Sequence, residues 1–454
     1  MMQSCFRTLL GLCLLSWMTS FSAFAQAKKV PVVSMDYLLG TTQYVEEIYD
    51  TADVSSHTFF LRCNYGSPKI VNPEVYEEIQ ASPRAIAKID MVYTGIAQVD
   101  SFNQRRLNRK RLVELEKLAP EIFDMSLVEW KFVKQVNALS RDENRQLFHG
   151  FVVHMQPNPP GMAESTDSLS AEERIREVMR IVDSADPDTS YVEREIKGKP
   201  YYLPIWKFKR DRGITYTRRG IWPREKVYPP STFVTDTVVT MPERDPRLKD
   251  SVVLVALRRN RSWKNFAVVQ DVTGSMHPYL SQSFIWIKDL SEGAEAEDFV
   301  FFNDGDRRPD GPIGRSGGAY HVRSRDMGTV RVTAVATMRK GYGGASPEND
   351  IEALLFAQDR CGDCQSLVLI ADNYAPVRDM ELIDQLRLPV HIIACGATMG
   401  NINYQYVDLA RRTGGSVHTL DADLDDLDQF KEGDILEVGK QKFIIEEGVL
   451  RLSR

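Results

Sequence analysis

At 454 residues the chain exceeds what one hydrophobic core usually organises, so two or three domains are expected. A formal net charge of −6 at pH 7 argues against a chain that binds nucleic acid through bulk positive charge. After the first 25 residues no run of 18 or more apolar residues occurs, so no membrane-spanning helix is expected.

Those first 25 residues carry a single charge, Arg7, then an apolar stretch from Leu9 to Met18, and end in Ala23-Phe24-Ala25. That order reads as a cleaved secretory signal peptide, and it places the mature chain in the periplasm, in the medium or at the cell surface. Cys13 lies inside the apolar stretch without a lipobox around it, so a lipid anchor is not expected. Loss of Arg7 takes the charge to −7, and that charge is unevenly spread. From Trp263 onward there are 20 basic and 30 acidic residues, against 36 and 33 between Gln26 and Ser262. Such opposite signs suit electrostatic docking of the two parts on each other or separate partners.

Residues 26–250 read as an α+β domain of no recognised family. Gln104 to Leu118 sets Leu112, Leu115 and Leu118 at helical steps among many charges, including Arg105, Arg106, Arg109, Lys110 and Arg111. In an exported protein such a basic face is expected to be solvated or to meet another domain, and no nucleic-acid partner is inferred from it. Val128 to Val136 and Leu147 to Met155 read as strands. His149 and His154, five apart on the second of them, fall on opposite faces and are not expected to share an ion. Pro157 to Ser168 is a loop. Ser170-Ala-Glu-Glu173 is a capping box, and it opens a helix with Ile175, Val178, Met179 and Val182 on one side. Trp206, Trp222, Tyr201, Tyr202 and Tyr216 read as core or surface aromatics.

The most informative stretch is Phe266 to Met276, FAVVQDVTGSM, an apolar run that stops at Asp271 and continues with Thr273 and Ser275 at two-residue steps. Leu280 to Leu290 then reads as a helix and Asp298 to Asp304 as a strand. The Gly-, Pro-, Asp- and Arg-rich segment from Gly305 to Gly318 has no period and reads as a long loop near the same edge, a candidate specificity loop. Its GRSGG stretch lacks the Lys-Ser/Thr ending of a phosphate-binding loop. Arg331 to Arg339 is an expected helix, followed by the glycine turn of GYGGASPENDIEALLFA and a helix from Glu348 to Asp359. A second apolar run, Leu367 to Ala371, again breaks at an aspartate, Asp372. Met380 to Leu386 is read as a helix, Val390 to Ala394 as a strand and Tyr404 to Thr413 as a helix. Thr413 to Leu420 is read as a glycine turn and strand. Alternating strands and helices point to βαβ units and a mainly parallel sheet, whose ligands gather at the carboxyl ends of the strands. The acidic Asp421 to Asp428 lacks the Gly and distal Glu of an EF-hand loop and reads as a polar helix or turn. The tail, Asp434 to Leu452, reads as two or three short antiparallel strands, an appendage within 429–454.

The order strand, D-x-T-x-S, glycine turn, helix, strand, Asp resembles the von Willebrand factor type A (VWA) domain and its metal-ion-dependent adhesion site, over residues 263–428. The resemblance implies a doubly wound, Rossmann-like sheet. It also implies a bound Mg²⁺, or Mn²⁺ or Ca²⁺, on Asp271, Thr273, Ser275 and Asp372, with a fifth ligand from the glycine turn. Where the family places Thr or Asp after its glycines, this chain has Ala345, so Ser346 is the implied substitute and Glu348 or Asn349 a further one. A few carboxylates, hydroxyls and waters suit a hard cation, and two neutral hydroxyls leave the ion positive enough to take an acidic group of another protein. The alternative is a domain of the same fold in which Asp271 and Asp372 only cap helices or turns.

Four cysteines follow the signal segment: Cys63, Cys361, Cys364 and Cys395. In an oxidising compartment Cys361-Gly-Asp-Cys364 most simply forms a disulfide, with free thiols, a redox pair or zinc as alternatives. No Ser/His/Asp or Cys/His set stands in a supporting motif. The favoured function is therefore a non-catalytic, metal-dependent protein-binding or assembly module. The alternative is an extracytoplasmic hydrolase in the N-terminal region, with the VWA-like part as a targeting module.

Overall fold

The computed structural model describes residues 31–49, 57–80, 82, 85–94, 103–138, 140–156, 170–184, 188–196, 201–204, 224–227, 232–240, 251–260, 262–289, 296–306, 308, 311–341, 347–398, 400–439 and 441–453. The expected signal segment, the loop from Pro157 to Ser168, Trp206, Trp222, Tyr216, Ala345 and Ser346 lie outside the described residues. Val32–Arg454 forms one compact unit of mixed α/β structure.

Its amino-terminal part runs α1 (Met35–Thr41), β1 (Gln43–Glu47), β2 (Thr58–Arg62), α2 (Val75–Gln80), β3 (Ile86–Thr94), α3 (Gln104–Leu118), β4 (Glu129–Gln135), α4 (Arg141–Gln146) and β5 (Gly150–Met155). The strands make a mixed sheet in the order β1-β4-β3-β5-β2. In it β1 and β3 run parallel to β4, while β5 is antiparallel to both β3 and β2. The helix expected over Gln104–Leu118 has those bounds, and its basic face is not uniformly solvated. Arg111 is buried, donating through Nε to the Ser67 carbonyl at 3.0 Å. His149 and His154 have separate partners, the Asn144 carbonyl and the Asp90 carboxylate, as opposite faces require.

The capping box forms as its sequence dictates. The backbone N–H of Ser170 donates to Glu173 Oε2 at 2.7 Å, and the N–H of Glu173 returns to Ser170 Oγ at 3.3 Å. It opens α5 (Ala171–Ser184), whose Ile175, Val178, Ile181 and Val182 are buried. Next, β6 (Asp188–Ile196) pairs antiparallel with β9 (Thr232–Thr240), and β7 (Tyr201–Pro204) with β8 (Arg224–Val227).

The carboxyl-terminal part begins with α6 (Val252–Arg259), β10 (Phe266–Asp271), α7 (His277–Asp289), β11 (Asp298–Phe302), β12 (Ala319–Arg323) and α8 (Met327–Lys340). It continues with α9 (Asp350–Arg360), β13 (Ser366–Asp372), β14 (Val390–Cys395), α10 (Tyr404–Thr413), β15 (Ser416–His418) and β16 (Asp423–Leu424). The seven strands form one sheet in the order β12-β11-β10-β13-β14-β15-β16, parallel from β11 to β15 with an antiparallel strand at each edge. Continuous apolar runs such as FAVV and LVLIA are explained by burial on both sides. Ala267 and Val269 join one apolar cluster with α9 and α10, whereas Phe266 and Val268 join another with α5, α6, α7 and α8. The capping-box helix thus leaves its neighbours in sequence and packs on α7 and α8 of the carboxyl-terminal part.

Three elements differ from expectation. Met380–Gln385 is a 3₁₀ helix, not an α-helix. Strand β12 falls between the loop ending at Gly318 and the helix expected from Arg331, where no element is expected; five partly exposed residues paired on one side only give a weak pattern. The acidic segment contributes β16 and a 3₁₀ turn at Leu427–Gln429, because Asp423 is drawn inward by partners distant in sequence. The tail forms the expected meander, β17 (Ile435–Val438), β18 (Gln441–Glu446) and β19 (Val449–Leu452). Its Leu436, Phe443 and Leu450 are buried in the main cluster, and Gln441 Nε2 donates to the Ser126 carbonyl at 2.8 Å.

Gly414 and Gly415 make the expected turn before β15. Gly414 ends α10 with φ +74°, a left-handed value open to glycine at little cost. At Gly415 the constraint is space, since an added Cβ would lie 1.8 Å from the Val390 carbonyl oxygen. Gly415→Ala is therefore expected to destabilise by about 1–3 kcal/mol, measured as a lower denaturant midpoint at unchanged slope. Gly362→Ala, with no atom within 4 Å, serves as the control.

Candidate metal centre at the carboxyl edge of the seven-stranded sheet

Strands β10 and β13 are neighbours and parallel, so Asp271 and Asp372 emerge at the same edge. Asp271 Oδ1 accepts the Thr273 N–H at 2.7 Å, which folds the residues after the strand back over its end. The Ser275 side chain hydrogen-bonds the Asp372 carboxyl, and Asp372 Oδ1 accepts the Tyr374 N–H at 2.9 Å. Four of the five expected ligands are thereby brought together: Asp271, Thr273, Ser275 and Asp372. The fifth, Ser346, lies outside the described residues.

Three further carboxyls share the edge. Glu348, just before α9, accepts from Thr273 Oγ1 at 3.4 Å, close enough to Asp271 for the two charges to oppose each other. Asp304, past the end of β11, holds a left-handed φ of +53° and accepts the Asn349 N–H at 3.1 Å. Non-glycine residues in that region are uncommon, and asparagine and aspartate tolerate it best. Asp350, the first residue of α9, accepts from Tyr406 Oη at 3.4 Å. Behind them Asp379 caps α9, accepting the N–H groups of Ile351 and Glu352 at 3.1 and 2.6 Å.

This is a costly arrangement in electrostatic terms. Burial pushes Asp271 up to about 6, against the hydrogen bonds from Thr273. Burial, and then the charge of Asp271, push Asp304 up to about 8. Glu348 and Asp350 are raised well above the usual carboxylate range, by burial first and by neighbouring carboxyls second. Asp372, partly exposed at the rim, is also raised by burial, and Asp379 is pushed up to about 7 for the same reason. Asp271 Oδ2, Glu348 Oε2 and Asp350 Oδ1 are buried with no hydrogen-bond partner among the described residues. Orphaned acceptors of this kind, with two hydroxyls beside them, are the donor chemistry of a hard divalent cation, which would hold the carboxyls ionised. The carboxyls do not form a closed cage. Among the described residues, Asp298, Cys361 and Cys364 are the group of three such side chains whose ligand atoms all lie within 4.8 Å of one another. There the two sulfurs are bonded to each other, so Cys361–Cys364 is a disulfide, while Cys63 and Cys395 are free and buried.

The loop from Gly305 to Gly318 does approach this edge. Glu352 accepts the N–H groups of Gly314 and Ser316 at 2.6 and 2.8 Å, and Arg378 bridges Ser316 Oγ, Asn349 Oδ1 and the Gly311 carbonyl. Asp304, Asp350 and Asp379 went unnoticed as site residues. Only the run Glu348-Asn349-Asp350 at a helix start hinted at them.

At the opposite, amino-terminal edge lies a set that the sequence hides. Ser416 Oγ is 2.6 Å from His418 Nε2, and His418 Nδ1 is 2.6 Å from Asp423 Oδ1. The order of contacts is that of a nucleophile, base and acid, although no supporting motif surrounds it in the sequence. All three are buried, and Ser416 Oγ also meets His391 Nδ1 at 2.7 Å. We read the set as structural. Trp263 stacks on the His391 ring, with centroids 4.6 Å apart.

Burial, reinforced by the charge of His418, lowers His391 to about 4. A histidine depressed in the fold refuses a proton that the unfolded chain takes up below its ordinary pKa of about 6.5. Stability from this group is thus full above about pH 6.5 and is lost as pH falls toward 4, by roughly 2–3 kcal/mol. Urea titrations at pH 7 and pH 5 are expected to show that loss in the native chain and a smaller one in His391→Gln.

Neither a protein family, nor a curated protein, nor a solved structure matches the chain. Among the described residues no helix is long and apolar enough to cross a membrane.

Proposed function

We propose that the chain is an exported, non-catalytic binding or assembly module whose VWA-like part, with a doubly wound sheet, holds a divalent cation at the β10–β13 edge. Asp271, Thr273, Ser275 and Asp372 are the ligands from the strands, Ser346 is the ligand assigned to the glycine turn, and Mg²⁺, Mn²⁺ or Ca²⁺ is the ion. When bound, the ion supplies a positive centre for an acidic group of another protein. The residues do the rest: Thr273 N–H orients Asp271, Ser275 orients Asp372, and Asp379 fixes the start of α9.

One observation carries this reading: carboxyl oxygens of Asp271 and Glu348 are buried and orphaned among the described residues, and Thr273 links the two, its N–H on Asp271 and its hydroxyl on Glu348. The strand order, reversing outward from β10 and β13, supports the doubly wound assignment, since such sheets bind ligands at this switch point. The residues from Val32 to about Asp250 are assigned the part of positioning or regulating the site. Partner capture from the native compartment is expected to vanish on chelation and in Asp271→Ala. A partner retained with equal affinity under both conditions would end the proposal.

A further inference from the structure

Glu348 stands at the place where the resemblance leaves a ligand missing. Its backbone is held on both sides, the N–H donating to the Pro376 carbonyl at 2.9 Å and the carbonyl accepting from Arg378 N–H at 2.7 Å. The side chain therefore leaves a fixed point and not a loose turn. It is 7% exposed, Oε1 accepts from the hydroxyl of Thr273, whose N–H holds Asp271 Oδ1, and Oε2 has no partner among the described residues. A buried glutamate left with a free oxygen is unfavourable unless a cation or a proton satisfies it. Two of the expected ligands lie within its reach.

We propose that Glu348 is an internal carboxylate ligand of the cation at this edge, capping the site from within the chain, so that a partner's acid enters by displacing it. This rests on the cation reading above and adds its regulation. With Asp271, Glu348 and Asp372 ionised, three negative charges face a divalent ion, and a fourth from a partner is repelled. Without Glu348 the charges balance and one position of the ion opens. The chain thus exchanges ready capture of acids for tighter hold on the cation. The arrangement favours a partner that presents its carboxylate while separating Glu348 from Thr273.

The test uses the full mature chain loaded with Mn²⁺, with calorimetry for affinity and water-proton relaxation for the number of exchanging waters on the ion. In Glu348→Ala, and in the near-isosteric Glu348→Gln, the Kd is expected to rise on the order of tenfold or more, as ligand charge is lost. Glu348→Ala is expected to gain about one exchanging water. A short peptide bearing one Glu should then lower the relaxation of the Ala variant and leave the native chain unchanged. Unaltered affinity and hydration in both Glu348 variants, with binding still abolished by Asp271→Ala, would overturn this inference and leave the cation site standing. Equal Mn²⁺ binding by the native chain and Asp271→Ala would remove both.

Discussion

Mn²⁺ or Mg²⁺ added to the metal-stripped mature chain is expected to raise its melting temperature by a few degrees, and Asp271→Ala to abolish the shift. The reason lies in which state binds. Asp271 and Asp372, about a hundred positions apart, reach one edge only in the fold, and Glu348 meets Thr273 there. A ligand at a hundred times its Kd that binds only the folded state adds about 2.7 kcal/mol, and a chain of this size converts that into a few degrees. The variant removes a carboxylate that is buried with one unsatisfied oxygen. It should therefore lose the cation response without losing the cation-free fold. Scanning calorimetry with and without cation checks both halves. An equal shift in Asp271→Ala would place the cation elsewhere.

Arg259→Met is expected to destabilise the chain by about 3–5 kcal/mol, the cost of leaving a buried acid without its cationic partner. Arg259 Nη2 donates to Asp423 and to the carbonyls of Thr419 and Ala422, at 2.8 and 3.1 Å for the carbonyls, and Nη1 donates to Leu420 O at 3.3 Å. The two side chains are only 12% and 2% exposed. Burial would raise Asp423, yet the His418 hydrogen bond and the Arg259 charge hold it below the usual carboxylate range. Removing the guanidinium leaves His418 as its remaining side-chain partner and takes a donor from three carbonyls, of which Ala422 still accepts from Thr419. In Arg259→Met/Asp423→Asn the charge penalty disappears, so the double variant should recover part of the loss. Chemical denaturation of the single and double variants gives the coupling directly. Strict additivity would mean that the pair carries no coupling of its own.

Much of the architecture was legible along the chain because its signals are local. FAVVQD and LVLIAD announce buried parallel strands that stop at aspartates, and both do so in the fold. Ser170 and Glu173 announce a helix start through hydrogen bonds that span three residues. The bounds of Gln104–Leu118 and Tyr404–Thr413 followed from periodicity and flanking residues. Asp271, Thr273, Ser275 and Asp372 were identifiable for the same reason, each standing at or just beyond the end of a readable strand. Strand β12 was not, since a short and half-exposed element carries little pattern, and at Met380–Gln385 a helix was legible but its 3₁₀ form was not.

What only the tertiary structure decided is what meets what. Helix α5 is amphipathic in sequence, but that it packs on α7 and α8 depends on which apolar face was left open. The burial of Asp304, Asp350 and Asp379 beside Asp271, and the delivery of Glu348 by a backbone clamped to residues 376 and 378, arise from contacts across the chain. Ser416, His418, Asp423 and Arg259 read singly as ordinary polar residues. Their mutual bonds exist because the sheet brings β14, β15 and β16 together and α6 closes over them. Local pattern encodes where an element starts and which side is apolar. Electrostatic environment depends on everything within a few ångströms, and in this chain most of that comes from distant sequence.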